Sequence, residues 1–391
     1  MLRRQLWQRV RADASALGDR VLRRQLDAGT GMARRLIAAD SETLYRLGAE
    51  FEVIDWSEPP DWRAAVEHPG GDASTALASR IAREYPYDAT GAYGLLTLPD
   101  VLLHMPSAVH TASGWIVRES LLSPTILANP KYWALIQSLV WRHARRLEPG
   151  ILAALTWNHN FYHWMVEILP RLSMLSRCRA DLPLYVGEST PPFVAASLEL
   201  LGLRDRVEWL PDGVYQAESL IVPSRMSLAL HPTRAAVDWL RDQLRDRASA
   251  AGPGRLIYAS RRDAAIRFAV NEDEIAAAME RLGFEEVAFS GLSLAEQIRV
   301  MSSARAVVGA HGAALAHLAF AHDDGMLVEF FEEGHAMPCF YHLANLRRFT
   351  YGCMACPREG LGYRVDVARL EGLVRRMMRG EHEVSSQVAQ A

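Results

Sequence analysis

Lysine is almost absent from this chain: of 43 basic residues among 391, only Lys131 is not an arginine. With 46 acidic residues opposing them and a net charge of −3, the arginines do not add up to a basic surface. Nucleic-acid binding is therefore not indicated, and the skew reads as coding bias. Cysteine is scarce as well. Cys178, Cys339, Cys353 and Cys356 are too few for a disulfide framework at this length. Cys353 and Cys356 have CxxC spacing, but no second CxxC completes a zinc site and no strand-to-helix redox context surrounds them. Reduced structural thiols are expected. Long hydrophobic runs are missing too, so no segment has the length of a bilayer span.

Half of the residues are hydrophobic, which fits a folded chain, and the length suits two domains better than one. The first 37 residues are rich in arginine but have no compact apolar core of the signal-peptide kind. Leu2, Leu6, Trp7 and Val10 fall near one helical face with Arg3, Arg4, Arg9 and Arg11 around it. Such a helix can rest on an anionic membrane surface, or pack on the body or on a second subunit of a homo-oligomer. A cytoplasmic address, peripheral to the inner membrane at most, is the expectation.

The remainder alternates strands and helices. Loops are marked at 58–61 and 69–72, short β-like pieces run through 101–127, and 131–146 has a helical apolar face. Strands are expected near 151–155, 182–186 and 207–210, with a helix at 193–201. Residues 218–232 hold two prolines and read as a lead between domains, followed by a helix at 233–249. A second series begins with a strand at 256–259. Asn271 resembles an N-cap with Glu274 at N3, and Ser293 with Glu296 forms a capping box. The economical architecture is two α/β domains with a cleft between them: an extension at 1–37, an acceptor-side domain at 38–222 and a donor-side domain at 223–391, whose last helix could cross back.

Three stretches carry chemistry. In the first, 304–331, a buried strand runs into Gly309-Ala310-His311-Gly312, then a helix at 313–321 and a strand at 326–331. A helix behind a glycine turn at a strand's carboxyl end offers free N–H groups to an anion, and Glu329 stands where a carboxylate can bond a ribose. An ordinary tight βαβ turn explains the same residues. His317 and His322, on or near that helix, read as packing or surface groups.

In the second, Ser260, Arg261 and Arg262 leave a strand end, with Arg267 and Asn271 following. Arginines there can grip phosphate oxygens; a solvated charge cluster is the plainer alternative. In the third, Trp157 to Glu167 is crowded with aromatics and histidines. If it is helical, His163 and Glu167 share a face at i, i+4. A carboxylate that fixes an imidazole's tautomer makes a general base, and core packing around a satisfied histidine is the alternative.

Taken together, the three stretches resemble glycosyltransferase family 61. The pattern N-Y-Y-H-W-x-x-E-x-L-P-R-L is matched at Asn160, Phe161, Tyr162, His163, Trp164, Glu167, Leu169, Pro170, Arg171 and Leu172. S-R-x-x-A-x-x-R-x-x-x-N-E is matched at Ser260, Arg261, Ala264, Arg267, Asn271 and Glu272. G-x-H-G-A-x-L with a following V-E is matched at Gly309, His311, Gly312, Ala313, Leu315, Val328 and Glu329.

The resemblance implies a GT-B-like α/β fold, with two Rossmann-type domains facing across a cleft. It also implies inverting transfer from a nucleotide-sugar, usually a UDP-sugar, to a glycan or a lipid-linked acceptor. Asp323-Asp324 is a turn and a poor DxD, so metal-independent catalysis is expected, with no cofactor beyond the donor. The donor-side residues are then Ser260, Arg261, Arg267, Asn271, His311, Gly312, Ala313 and Glu329, with Glu329 on the ribose. His163 would be the base, Glu167 its orienter or substitute. A histidine-nucleophile phosphate enzyme and an inactive nucleotide-sugar-binding scaffold are the rival readings.

Overall fold

The computed structural model describes residues 38–39, 50–56, 66–67, 92–105, 108–111, 116–117, 120, 144–154, 158–228, 231–245, 254–264, 266–335 and 337–380. The arginine-rich extension at 1–37, both expected loops, residues 131–143 and Trp157 lie outside these.

Two sheets organise the described chain. The second, built from residues 255–356 and one short strand from far upstream, is parallel throughout. From one edge it runs Glu285–Ala288, Arg255–Ser260, Ala304–Ala310, Met326–Glu332, Thr350–Cys356 and Val66–Glu67. Its five main strands thus follow the doubly wound order 2-1-3-4-5, and the order reverses between the Arg255–Ser260 and Ala304–Ala310 strands. Ligands of open α/β sheets bind at such a reversal, outside the carboxyl ends of the strands. The central strands are apolar on both faces, as strands covered by helices on both sides must be: every residue of 326–331 is buried.

The first sheet differs from a Rossmann-type unit. Gly150–Leu152, Leu184–Gly187 and Val207–Leu210 are parallel, but the long Gly213–Pro223 strand joins them to an antiparallel meander. It pairs antiparallel with Ala92–Met105 from Gly213 opposite Met105 to Pro223 opposite Leu95. Val101, Leu103 and Met105 alternate into the core, the period-2 pattern of a strand with one packed face. Residues 218–223, expected as a lead between domains, therefore complete a central strand. The two prolines misled because Pro223 falls at that strand's last position, where a missing N–H costs the ladder little. Arg145 and Arg146, expected in a helix, belong to the short strand Arg145–Leu147 beside it.

One apolar core ties the sheets together. It runs from Leu103, Ile151 and Leu220 through the helical layer of Trp164, Ile168, Leu240 and Leu318 to Ile257, Val307 and Leu327 on the second sheet. The two halves are thus joined by a packed layer. The outer face of the second sheet has its own core, covered by the helices Glu272–Arg281 and Val367–Met378. The last helix stays on its own sheet through Leu370, Leu373, Val374 and Met377. Cys353 belongs to the inner core and Cys356 to the outer, because i and i+3 on a strand face opposite ways. The CxxC thiols therefore cannot act as a pair. Burial pushes Cys356 up to about 12, which keeps it a thiol.

Candidate active site

The strand order puts Arg261 and His311 side by side, each just past the end of its strand, at the reversal point. Glu272 fixes the first of them. Its Oε1 accepts from Tyr258 OH at 2.6 Å, Ser260 Oγ at 3.0 Å and the Arg261 main-chain N–H at 3.1 Å. Arg261 then reaches across, Nη1 donating to the His311 carbonyl at 2.9 Å and Nη2 to that of Ile266 at 3.2 Å.

This guanidinium explains Gly312. The residue has extended backbone, φ 173, which any amino acid can adopt. A Cβ there, however, would lie 1.6 Å from Arg261 Nη1. The close approach expected at the glycine turn is made by the arginine. The helix expected next is present over Ala313–Phe320, wound as a 3-10 helix. Residues 315–320 are all buried, so it has no solvent face and packs as core; Ala313 alone is exposed at the turn.

Arg267 stands nearby with φ 53, a left-handed conformation uncommon for a long side chain and found preferentially at functional sites. It donates to His335 Nε2, which must therefore carry a lone pair. Among the described residues neither Arg261 nor Arg267 has a carboxylate at ion-pair distance, and the Nε–H of each is buried without a partner. Burial holds Arg261 below its ordinary range, and the charge of Arg267 adds to that. Two partly desolvated guanidinium groups that repel one another are chemically suited to an anion. Their neighbour Arg262 is different: exposed and paired with Glu286 and Asp273, it is the solvated cluster.

Asn271 does not join this group. Its amide exchanges two hydrogen bonds with the Val365 main chain, at 2.9 and 3.1 Å, and meets Glu274. It occupies the N-cap position without capping through its side chain, and it clamps the 365 segment to the helix. The capping box at Ser293 and Glu296 forms as expected.

The described chain also holds two imidazole–carboxylate pairs. His163 Nδ1 meets Glu167 Oε2 at 2.5 Å. A carboxylate can only accept, so Nδ1 carries the proton and Nε2 the lone pair. The pair sits on a π-helical turn, His163–Ile168, where Leu169 N–H bonds back to the Trp164 carbonyl. Pro170 follows; without an N–H it cannot continue an α ladder, and the chain tightens to 3-10 winding over Leu169–Arg177. Such π turns recur at functional sites. Ser227 Oγ donates to the other Glu167 oxygen at 3.4 Å.

The second pair is His311 with Glu329, Nδ1 to Oε1 at 2.5 Å, and Tyr351 OH donates to Oε2 at 2.7 Å. Glu329 is wholly buried. Both oxygens are engaged and none of its surface is open, so this carboxylate is closed to a ribose hydroxyl. It holds His311 instead.

Phe340 links the two pairs: its ring lies 5.7 Å from that of Tyr162 and 5.0 Å from that of His311. Beside it the Cys339 thiol is pushed well up by burial and then by the charges of Glu329 and Glu167, so both carboxylates approach one small volume. His335 stands edge-on to His311 at 5.5 Å.

The sequence brought His163, Glu167, Ser260, Arg261, Arg267, His311, Gly312 and Ala313 into view. It did not single out Glu272, His335, Phe340 or Tyr351. Glu272 closes a quoted motif and could have been found; the other three come from neighbouring elements and leave no local signal. Asp323 and Asp324 are taken by arginines, Asp323 by Arg241 and Arg347 and Asp324 by Arg348. His322 is held by Arg245, and His317 is buried packing.

A doubly wound sheet carries at its reversal point two arginines that, among the described residues, have no carboxylate at ion-pair distance, together with the carboxylate-held His311, which defines an α/β protein of the open-sheet kind. Residues 161–328 match the family model Glycosyltransferase 61, and over that segment the chain is similar to glycosyltransferase family 61, the family that the three motifs resemble. The match takes in His163, Glu167, Arg261, Arg267, His311 and Gly312 and stops one residue before Glu329. No curated protein matches the chain. Among the described residues no helix is long and apolar enough to cross a membrane.

Proposed function

We propose that the chain is an inverting glycosyltransferase that moves a sugar from a nucleotide-sugar, with a UDP-sugar as the expected donor, to a hydroxyl of a cell-surface glycan or its lipid-linked precursor. The observation that carries this reading is the pair of arginines at the sheet's reversal point that, among the described residues, have no carboxylate at ion-pair distance, together with a histidine whose Nδ1 is held by a buried glutamate. Arg261 and Arg267 would take the diphosphate, with Ala313 beside it.

Inversion requires attack on the sugar carbon from the face opposite the leaving group, with a base on the acceptor hydroxyl. His163 Nε2 is that base, and Glu167 holds its tautomer. The departing diphosphate gathers charge as its bond to the sugar breaks, and preoriented guanidinium groups stabilise that charge without reorganising. The reaction is proposed to run without a metal, because the adjacent aspartates at 323 and 324 are committed to arginines. A cytoplasmic address belongs to this proposal, since nucleotide-sugar donors and lipid-linked acceptors meet at that membrane face.

The test is a screen of UDP-sugars with candidate glycan and lipid-linked acceptors, read as UDP release. Release that depends on both donor and acceptor supports the reading. Phosphohistidine formation from a phosphoryl donor, or UDP binding with no release on any acceptor, would turn it towards one of its rivals.

A further inference from the structure

We infer that His311 is a second catalytic group of the proposed transfer, the acid that meets the leaving diphosphate, and that Glu329 and Tyr351 are its positioning residues. The inference rests on the nucleotide-sugar reading and deepens it.

Glu329 is wholly buried, and its two oxygens receive one donor each: His311 Nδ1–H at 2.5 Å and Tyr351 OH at 2.7 Å. A buried carboxylate without a counter-charge is costly. Tyr351 contributes a hydrogen bond and no positive charge. Its phenol is pushed up by burial first and by the Glu329 charge next, so it stays protonated and keeps donating. The nearby thiols of Cys339 and Cys353 are likewise held as thiols by burial and by Glu329. Among the described residues within hydrogen-bond distance of this carboxylate, only the His311 ring can carry the opposing charge.

An imidazolium has two N–H groups. Nδ1–H is given to Glu329, and the ring is wedged between Phe340 and His335. Nε2–H is left, at the partly open edge of a side chain that is 10% exposed. The carbonyl of the same residue is fixed by Arg261 Nη1, so ring and guanidinium are positioned together and converge on one anion.

The step balances as follows. The acceptor oxygen gives its proton to His163 Nε2 and forms the new bond to the sugar carbon. The bond from that carbon to the diphosphate oxygen breaks, and its electron pair stays on the oxygen. His311 Nε2–H passes its proton to that oxygen. Protonated His163 and neutral His311 reset with solvent.

The two pairs thus share one geometry and take opposite roles, and their surroundings differ accordingly. Glu329 has a close phenol donor and no exposure; Glu167 receives the Ser227 hydroxyl at 3.4 Å, and His163 is the more open ring at 18%.

The test uses the full chain with 15N-labelled histidine, free and with UDP, at neutral pH. His311, assigned by comparison with His311→Gln, should show both ring nitrogens in the protonated class, and His163 one nitrogen with a lone pair. Glu329→Gln should convert one His311 nitrogen to the lone-pair class and lower UDP affinity. Tyr351→Phe, the gentler variant should Glu329→Gln not fold, should lower kcat about tenfold while the donor KM stays within about twofold. A lone-pair nitrogen on His311 in the wild-type UDP complex, or Tyr351→Phe with unchanged kcat, overturns the acid role and leaves the transferase reading standing. Failure of the wild type to bind UDP removes the transferase reading and the role with it.

Discussion

His163–Glu167 and His311–Glu329 close with the same contact, Nδ1 to a carboxylate oxygen at 2.5 Å, yet they are built differently. The first is local: four residues apart, on one turn, in any helix that keeps that face together. The second depends on a sheet. Gly309 lies opposite Glu329 and Ala310 opposite Phe330 in the parallel register, and His311 reaches back to Glu329 only after the chain has turned. A register shift of one residue would point Glu329 to the other face. A local pair costs little to order and tolerates neighbours, whereas the sheet-built pair is locked by everything around the strand. Local geometry therefore suits a base that must meet a variable acceptor, and sheet geometry suits a group that meets the invariant part of the donor.

The largest effect should come from breaking the local pair. If His163 is the base, His163→Ala should lower kcat by about 10²–10⁴-fold, the range general bases supply, while UDP affinity measured by calorimetry is almost unchanged. Wild-type turnover in that variant would take the role of base from it.

Next comes the anion site on the other side. Arg261→Ala removes a charge-assisted contact worth about 1.5–3 kcal/mol, which is roughly a 10–150-fold loss in UDP affinity. Gly312→Ala should act in the same direction without touching the charge, because its Cβ displaces the guanidinium. UDP affinity that survives Arg261→Ala would sink the diphosphate assignment. Affinity that survives only Gly312→Ala would mean that the arginine can relocate.

A third histidine sharpens the contrast. His317 is buried like His311 but, among the described residues, has no carboxylate at ion-pair distance. Its Nδ1 faces the Ala314 carbonyl and its Nε2 the Gln297 amide oxygen, between the rings of Phe161 and Phe289. Burial pulls it from 6.5 to about 4, only partly opposed by the Ala314 carbonyl. Between those values the unfolded chain binds the proton that the folded chain refuses, so this contribution is fully present above 6.5 and is lost as pH falls towards 4. The shift corresponds to about 3 kcal/mol. Urea midpoints across that window should fall with pH, and His317→Gln should flatten the slope. His104, lowered to about 3 by burial and then by His110, keeps part of the slope. A slope identical in the variant would show that His317 titrates normally.

What the sequence made legible follows the same division. Elements held by local rules were readable: the capping box at Ser293, the three central strands of the second sheet at 255–260, 304–310 and 326–332, the i, i+4 pair. Elements that exist only through packing were not. Nothing local says that Arg261 covers Gly312, that Tyr351 anchors Glu329, or that 313–320 winds as a 3-10 segment with no solvent face. Glu329 read as a ribose ligand because its topological place is right, and the register then buried it. The antiparallel half of the first sheet was hidden by Pro223, a turn signal that sits at a strand end.

The smallest expected effect is at Ser227, and it probes whether the two carboxylates are held alike. Ser227 Oγ reaches Glu167 at 3.4 Å, at the edge of useful hydrogen-bond geometry, where Tyr351 reaches Glu329 at 2.7 Å. A bond that long contributes at the low end of the usual 0.5–1.5 kcal/mol, so Ser227→Ala should change kcat by about threefold or less. Tyr351→Phe should cost more, because it leaves a fully buried oxygen with no donor. Measured side by side on the same donor and acceptor, the two variants rank the pairs directly. Equal losses would mean that Glu167 depends on its hydroxyl as Glu329 does on its phenol, and the asymmetry between base and acid would have to arise elsewhere than in the carboxylates.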